Sequence, residues 1–240
     1  MKLQNSIIGL CGVAGAFTFS VSAEETQRIK TLREVVVVGQ EPILTQPSIE
    51  TARRRINLVP GGVDVIDAET YKTGRATTLQ DALGFSPGVF VQPKFGAEEA
   101  RLSIRGSGIQ RTFHLRGIKL MQDGVPLNLA DGSGDFQAVE PLAARYIEVF
   151  RGANALQYGS TTLGGAINFV SPTGHDAPPV QARRETGSFG YLRGEASLAG
   201  ANERSDYYVS LSHFSQAGFR DHARQKNQRL FGNYGLRLHD

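Results

Sequence analysis

Gly84-Phe85-Ser86-Pro87-Gly88 has the letter pattern of a nucleophile elbow, in which a serine on a tight turn attacks a carbonyl. That chemistry needs a backbone N–H just after the serine to hold the oxyanion, and Pro87 has none. Serine hydrolysis is excluded at this turn. Gly159 to Gly164 has the glycine spacing of a phosphate-binding loop, yet Gly165-Ala166 stands where a lysine and a hydroxyl residue would grip phosphate and magnesium. His114, His175, His213, His222 and His239 are dispersed without zinc-ligand spacing. The one cysteine, Cys11, lies in an amino-terminal apolar run, so the rest of the chain has neither a thiolate site nor a disulfide framework. The residues therefore predict no enzyme, no resident metal and no cofactor.

Reactive groups being absent, the elements carry the information. The 240 residues hold 26 basic and 23 acidic side chains, a net charge of +3, which gives no basic surface for nucleic acid. Glycine occupies 28 positions, well above the usual ~7%, and favours turns and β architecture. Lys2, the apolar run from Ile7 to Phe19 and Val21-Ser22-Ala23 before Glu24-Glu25 form the charge, core and cleavage order of a secretory signal peptide over residues 1–23. At thirteen residues the run is too short for a spanning helix, which needs about 20. Residues 24–57 have linker composition, interrupted by the β-branched run Glu34 to Gly39, whose stiff side chains favour an extended backbone.

From residue 58 to 172 short strands alternate with one- or two-turn helices. Val63 to Ile66, Val89 to Gln92, Leu102 to Arg105, Ile147 to Arg151 and Gly164 to Val170 read as strands. Thr78 to Leu83 reads as a capped helix stopped by Gly84, and Ile118 to Leu127 as a hairpin turning at Asp123-Gly124. Residues 180–240 change pattern. Leu192, Gly194, Ala196 and Leu198 alternate with Arg193, Glu195 and Ser197; Tyr207, Val209 and Leu211 alternate with Tyr208, Ser210 and Ser212; Leu230, Tyr234, Leu236 and Leu238 oppose Arg229, Asn233 and Arg237. One apolar and one polar face suit either a membrane barrel with water inside or a soluble sandwich.

Six motifs in order resemble the TonB-dependent outer-membrane receptors. They are Glu34 to Gly39, similar to the TonB box; Leu79 to Leu83 with Ser86-Pro87-Gly88-Val89; Ile104-Arg105-Gly106; Asp123-Gly124-Val125-Pro126; Ile147 to Gly152; and Tyr158-Gly159-Ser160 with Gly164 to Asn168. The resemblance implies an α+β plug followed by antiparallel β hairpins of an incomplete transmembrane β-barrel. It implies TonB-coupled uptake of a scarce nutrient, foremost an iron chelate or siderophore, with no catalysis and with a ferric chelate as cargo, not cofactor.

In such a receptor, Glu34, Val35, Val36, Val37 and Val38 would be captured as an added strand by a TonB-type periplasmic coupling protein. Arg105, Gly106, Asp123, Gly124, Arg151 and Gly152 would shape the plug and its contacts with the barrel wall, the two arginines through ion pairs. Plug loops would meet cargo: Arg111 and His114 an anionic chelate, Asp131 and Asp135 a cation. The finished barrel would contact outer-membrane lipid. About sixty residues after the plug supply some four strands, against about 22 in a plugged transporter, so the sequence is expected to be the amino-terminal part of a receptor. A non-transporting remnant or a soluble periplasmic plug-like binding module is the alternative.

Overall fold

The structure, a computed structural model, describes residues 45–94, 96, 99–107, 115–134 and 136–238. The expected signal peptide, the TonB-box segment 34–39, Arg111, His114 and Asp135 lie outside the described residues.

The first described element corrects the linker reading. Ile49–Asn57 is a helix, α1, opening on Ser48, whose hydroxyl accepts from the Thr51 N–H at 3.3 Å. Glu50 in the first turn and Arg54 and Arg55 in the last complement the helix dipole. Ile49, Ala52 and Ile56 recur on one face and are buried. Three consecutive arginines and the nearby prolines gave this stretch a linker composition, while only those three residues carry its amphipathic period.

The plug is a five-stranded sheet with helices against it. Strands β1 (Val63–Asp67), β4 (Ile118–Gln122), β5 (Val125–Pro126), β6 (Tyr146–Arg151) and β7 (Gly165–Val170) lie in the order β1-β6-β7-β4-β5. The β4–β7 pair is parallel and the others are antiparallel. Every residue of β6 and β7 is buried, because both faces of these central strands are covered. Ile147, Val149, Ile167 and Phe169 join a core with Leu79, Leu83, Leu102, Ile104, Ile118 and Leu120. Tyr146, Phe150, Ala166 and Val170 point to the opposite face, toward Ile56, Ile49 and Ala52 of α1.

Two short helices, α2 (Ala68–Lys72) and α3 (Leu79–Leu83), and a hairpin of β2 (Val89–Pro93) and β3 (Ala100–Ile104) close the first core. In α3 a capping box forms: Thr78 Oγ1 accepts from the Asp81 N–H, while Asp81 accepts from the Thr78 N–H at 2.8 Å.

Beyond it, β8 (Val180–Gly187), β9 (Tyr191–Ala201), β10 (Ser205–Gln216) and β11 (Gln225–Leu236) form an open antiparallel sheet, each strand paired to the next. The connections 188–190 and 202–204 are short, and 217–224 is longer. Along β10 Asp206, Tyr208, Ser210, Ser212 and Phe214 are buried, whereas Tyr207, Val209 and Leu211 are exposed. Leu198, Leu230, Tyr234 and Leu236 are exposed on the neighbouring strands, and Arg193 and Ser197 are buried. Burying the polar face and exposing the apolar one is the wrong way round for a soluble sandwich and the right way for a wall whose outer face meets hydrocarbon. No helix among the described residues is long and apolar enough to cross a membrane.

Candidate functional site

The inward polar face of the wall meets the plug most closely at Glu140. Pro141–Ala143 is a single 3-10 turn, and Glu140 caps it: its Oε1 accepts from the Leu142 N–H at 3.1 Å. Tyr71 of α2 fixes the same turn by donating its hydroxyl to the Pro141 carbonyl at 2.7 Å, and burial pushes that phenol far above its ordinary value of 10.0. Three wall strands converge on the carboxylate. Arg193 of β9 pairs with Oε1, Ser212 of β10 donates to Oε2 at 2.7 Å, and Arg229 of β11 stands 3.4 Å from Oε2. Arg229 also donates to the Gln137 carbonyl at 2.8 Å, and Arg193 to the Thr77 carbonyl at 3.4 Å. Arg193 is only 2% exposed, so this carboxylate offsets a cation that has left water.

On β8, in the register row of Ser212 and Arg229, Arg183 donates to the carbonyls of Lys72 and Gly74 in the plug. Its Nε donates to Glu185 at 2.7 Å, and Glu185 accepts from the Tyr191 hydroxyl at 2.7 Å. Tyr191 also bonds the hydroxyl of Thr77. Burial lowers the Lys72 ammonium from its ordinary 10.5, with Glu195 and Glu69 acting against that shift. Here plug and wall enclose a cavity of about 680 Å3 whose lining includes Arg75, Thr77, Pro93, Arg183, Glu185 and Tyr191. At the other end of the sheet, Asn233 of β11 donates to Ser171 Oγ and to the Pro172 carbonyl, both at 2.8 Å, and His175 stands 3.6 Å from the buried Asp206. Polar contacts to exchangeable partners thus run along the whole described contact between plug and wall.

The residues expected from the sequence fall in several places. Arg151 is buried and donates to Ser86 at 2.8 Å, with Asp64 at 3.4 Å. Among the described residues its ion pair is inside the plug, and the four described wall strands supply none; β6 turns this side chain toward β1 and the turn after α3. Arg105 has a left-handed backbone, φ 52°, and its guanidinium lies over Gly62 and Gly152, where a Cβ would come within 2.7 and 3.0 Å of it. No described wall strand supplies its counter-charge.

Asp123 and Gly124 both have positive φ, 52° and 79°, the backbone a two-residue hairpin turn requires. Asp123 accepts from the Ser171 N–H at 2.8 Å and from its hydroxyl at 2.6 Å, and so reaches Asn233 of the wall through Ser171. Burial raises its carboxyl above the ordinary 3.8 despite those bonds. Gly106 follows Arg105 with φ 86° at an open turn. Asp131 pairs with Arg116 at 2.9 Å and lines a separate hollow of about 270 Å3, so it is not brought to the larger cavity.

Glu140, Arg183, Tyr191 and Arg229 were not singled out by their types. The available signal was parity: each of the three wall residues lies opposite an outward apolar neighbour on its strand.

Residues 55–166 match the family model described as the TonB-dependent receptor plug domain. The chain carries the TonB-dependent receptor plug domain. It is 31% identical over 170 residues to the rhizobactin receptor of Rhizobium meliloti (strain 1021), covering 70% of this chain and 20% of that protein. It is 28% identical over 157 residues to the hemin receptor of Yersinia enterocolitica, covering 65% and 20%. The crystal structure of the ferric citrate transporter FecA in the unliganded form aligns with a TM-score of 0.61 at 20% identity, over 77% of this chain and 30% of that one. That likeness is one of fold. The chain spans about a fifth of the length of the curated relatives it matches.

Proposed function

We propose that this chain supplies the plug and first wall strands of an outer-membrane receptor that takes up an iron chelate under TonB coupling. The observation that carries the reading is the inverted burial of β8 to β11. A polar face holds the plug through Glu140 and the backbone carbonyls of Lys72, Gly74 and Thr77, and an apolar face is left for lipid. The more exposed of these contacts, such as that of Arg183 to Gly74, exchange with water at little cost, whereas the buried Arg193–Glu140 pair is the one a shifting plug must break; neither leaves a hydrophobic seam. The relatives named as rhizobactin and hemin receptors support iron-bearing cargo. A soluble plug-like module fits less well, since it would expose Leu198, Val209, Leu211 and Leu230 to water.

The 680 Å3 cavity, with Arg75, Arg183 and Glu185 at its edge, is the place on this chain where cargo would first meet both plug and wall. In this reading Glu34 to Val38 is the segment drawn by the coupling protein through strand addition. The test is Val36→Pro, which removes a ladder donor from that strand. TonB-dependent uptake of a radiolabelled ferric chelate is expected to fall to background while binding of the same chelate to cells is retained. Unchanged uptake would refute the assigned box.

A further inference from the structure

Each charged residue lining the cavity between plug and wall is already committed to a partner within this chain. Arg183 spends its Nε on Glu185 at 2.7 Å and its two Nη atoms on the carbonyls of Lys72 and Gly74. Glu185 takes that bond on Oε1 and accepts the Tyr191 hydroxyl on Oε2 at 2.7 Å. Arg75 grips Asp81 through Nε, 3.2 Å from both carboxylate oxygens, and through Nη2 at 3.0 Å. Arg75 and Arg183 are thus cancelled by Asp81 and Glu185, and the described lining carries no other charge. What stays uncommitted is neutral: Ser188 and Gln216 line the same cavity, and neither side chain has a polar partner among the described residues.

Ferric chelates divide by charge. Three hydroxamates, each singly anionic, cancel the ferric charge, whereas three catecholates, each doubly anionic, leave the complex triply anionic. A polyanion needs unpaired cations, and here it would win Arg183 only by drawing it off Lys72 and Gly74, unfastening wall from plug. It would also stand against the Glu185 carboxylate, a juxtaposition of like charges that works against binding. A neutral complex meets neither obstacle and can exchange hydrogen bonds with Ser188 and Gln216.

We propose that Glu185 determines cargo specificity: by holding Arg183 it makes this cavity select an uncharged, hydroxamate-type ferric chelate against polyanionic ones. The proposal rests on the reading that iron-chelate cargo meets plug and wall at this cavity.

The test uses receptor purified in detergent, as parent, Glu185→Gln and Glu185→Asp. Equilibrium binding is measured with radiolabelled iron presented as neutral tris-hydroxamate chelates, linear and cyclic, and as a triply anionic tris-catecholate chelate. The parent is expected to bind the better hydroxamate chelate about tenfold or more tightly than the catecholate one. Glu185→Gln adds one net positive charge and frees Arg183 Nε, and should shift that ratio about tenfold toward the catecholate chelate. Glu185→Asp keeps the charge and should keep the parent's preference.

A parent that binds the catecholate chelate as tightly as the hydroxamate ones overturns the proposal, and this comparison needs no variant to fold. A Glu185→Gln ratio equal to the parent's also overturns it, as does a ratio for Glu185→Asp that moves as far as that for Glu185→Gln. In each of these cases a chelate has bound, so the iron-chelate reading stands. Binding of neither class by folded parent receptor overturns that reading, and the proposal with it.

Discussion

The two sheets of this receptor chain solve opposite problems with the same alternation. In the plug, β6 and β7 bury Ile147, Val149, Ile167 and Phe169 on one face and Phe150, Ala166 and Val170 on the other. In the wall, Ser197, Ser210, Ser212 and Arg193 are buried while Leu198, Val209, Leu211 and Leu230 are exposed. A central plug strand is mostly apolar on both sides because both of its faces are covered; a wall strand is apolar only where it leaves the protein. The seam between the sheets is consequently the least hydrophobic interior of the molecule. Cohesion within the plug comes from packing, and adhesion of plug to wall comes from charge and hydrogen bonds.

The largest expected effect that would break this comparison comes from Glu140→Ala. It leaves Arg193 buried and unpaired, a change worth about 3–5 kcal/mol. A fall in the thermal midpoint of the detergent-solubilised receptor is the readout. Glu140→Gln keeps one acceptor oxygen, enough for the Leu142 N–H, but not the charge, and should fall by less; equal losses would mean that charge is not what holds the seam. Next in size is Val209→Arg on the lipid face, in the row between those of Tyr207 and Leu211, expected to cost about 2–4 kcal/mol of barrel stability. Its readout is the urea midpoint in lipid vesicles, and an unchanged midpoint would mean that this face does not meet hydrocarbon.

The smallest effect sharpens the plug side of the comparison. Asp123 has its carboxyl raised by burial, so above pH 3.8 the folded state keeps a proton that the unfolded chain has released. Its contribution to stability should decline as pH climbs from 3.8 through the raised value and be level beyond, by at most about 1.4 kcal/mol per pH unit. Thermal midpoints of parent and Asp123→Asn, compared across that range, should diverge in slope. Parallel profiles would remove Asp123 from the acid response.

Strand identity was legible wherever period two was clean, as at Val63 to Ile66 and along Tyr207 to Ser212, because there each residue's face follows from its parity alone. The capped helix at Thr78 was legible for a similar reason: Thr78 and Asp81 satisfy one another locally. Helix α1 was not, since Arg53-Arg54-Arg55 dominates its composition, and its stripe is defined only by what it packs on, Tyr146 and Val170 far later in the sequence. The plug partners of Arg151 were not legible because Asp64 and Ser86 lie 87 and 65 positions away in sequence. Glu140 escaped notice for want of any local pattern; its meaning comes from three strands that come later in the sequence. Asp131 was noticed for its charge alone, and Arg116 already neutralises it.

Helix α1 has a mechanical consequence. Arg55 at its last turn is ionically paired with Glu148 in the middle of β6, and Glu148 also accepts from Asn168 of β7 at 3.0 Å. At the helix's leading end, the Tyr146 hydroxyl donates to the Pro47 carbonyl at 3.1 Å. Any tension arriving from the amino-terminal direction loads this clasp before it loads a single backbone ladder. The helix is thus a peelable tab whose far corner is riveted to the two middle staves of the plug, so that what begins as detachment ends as a tug at the centre.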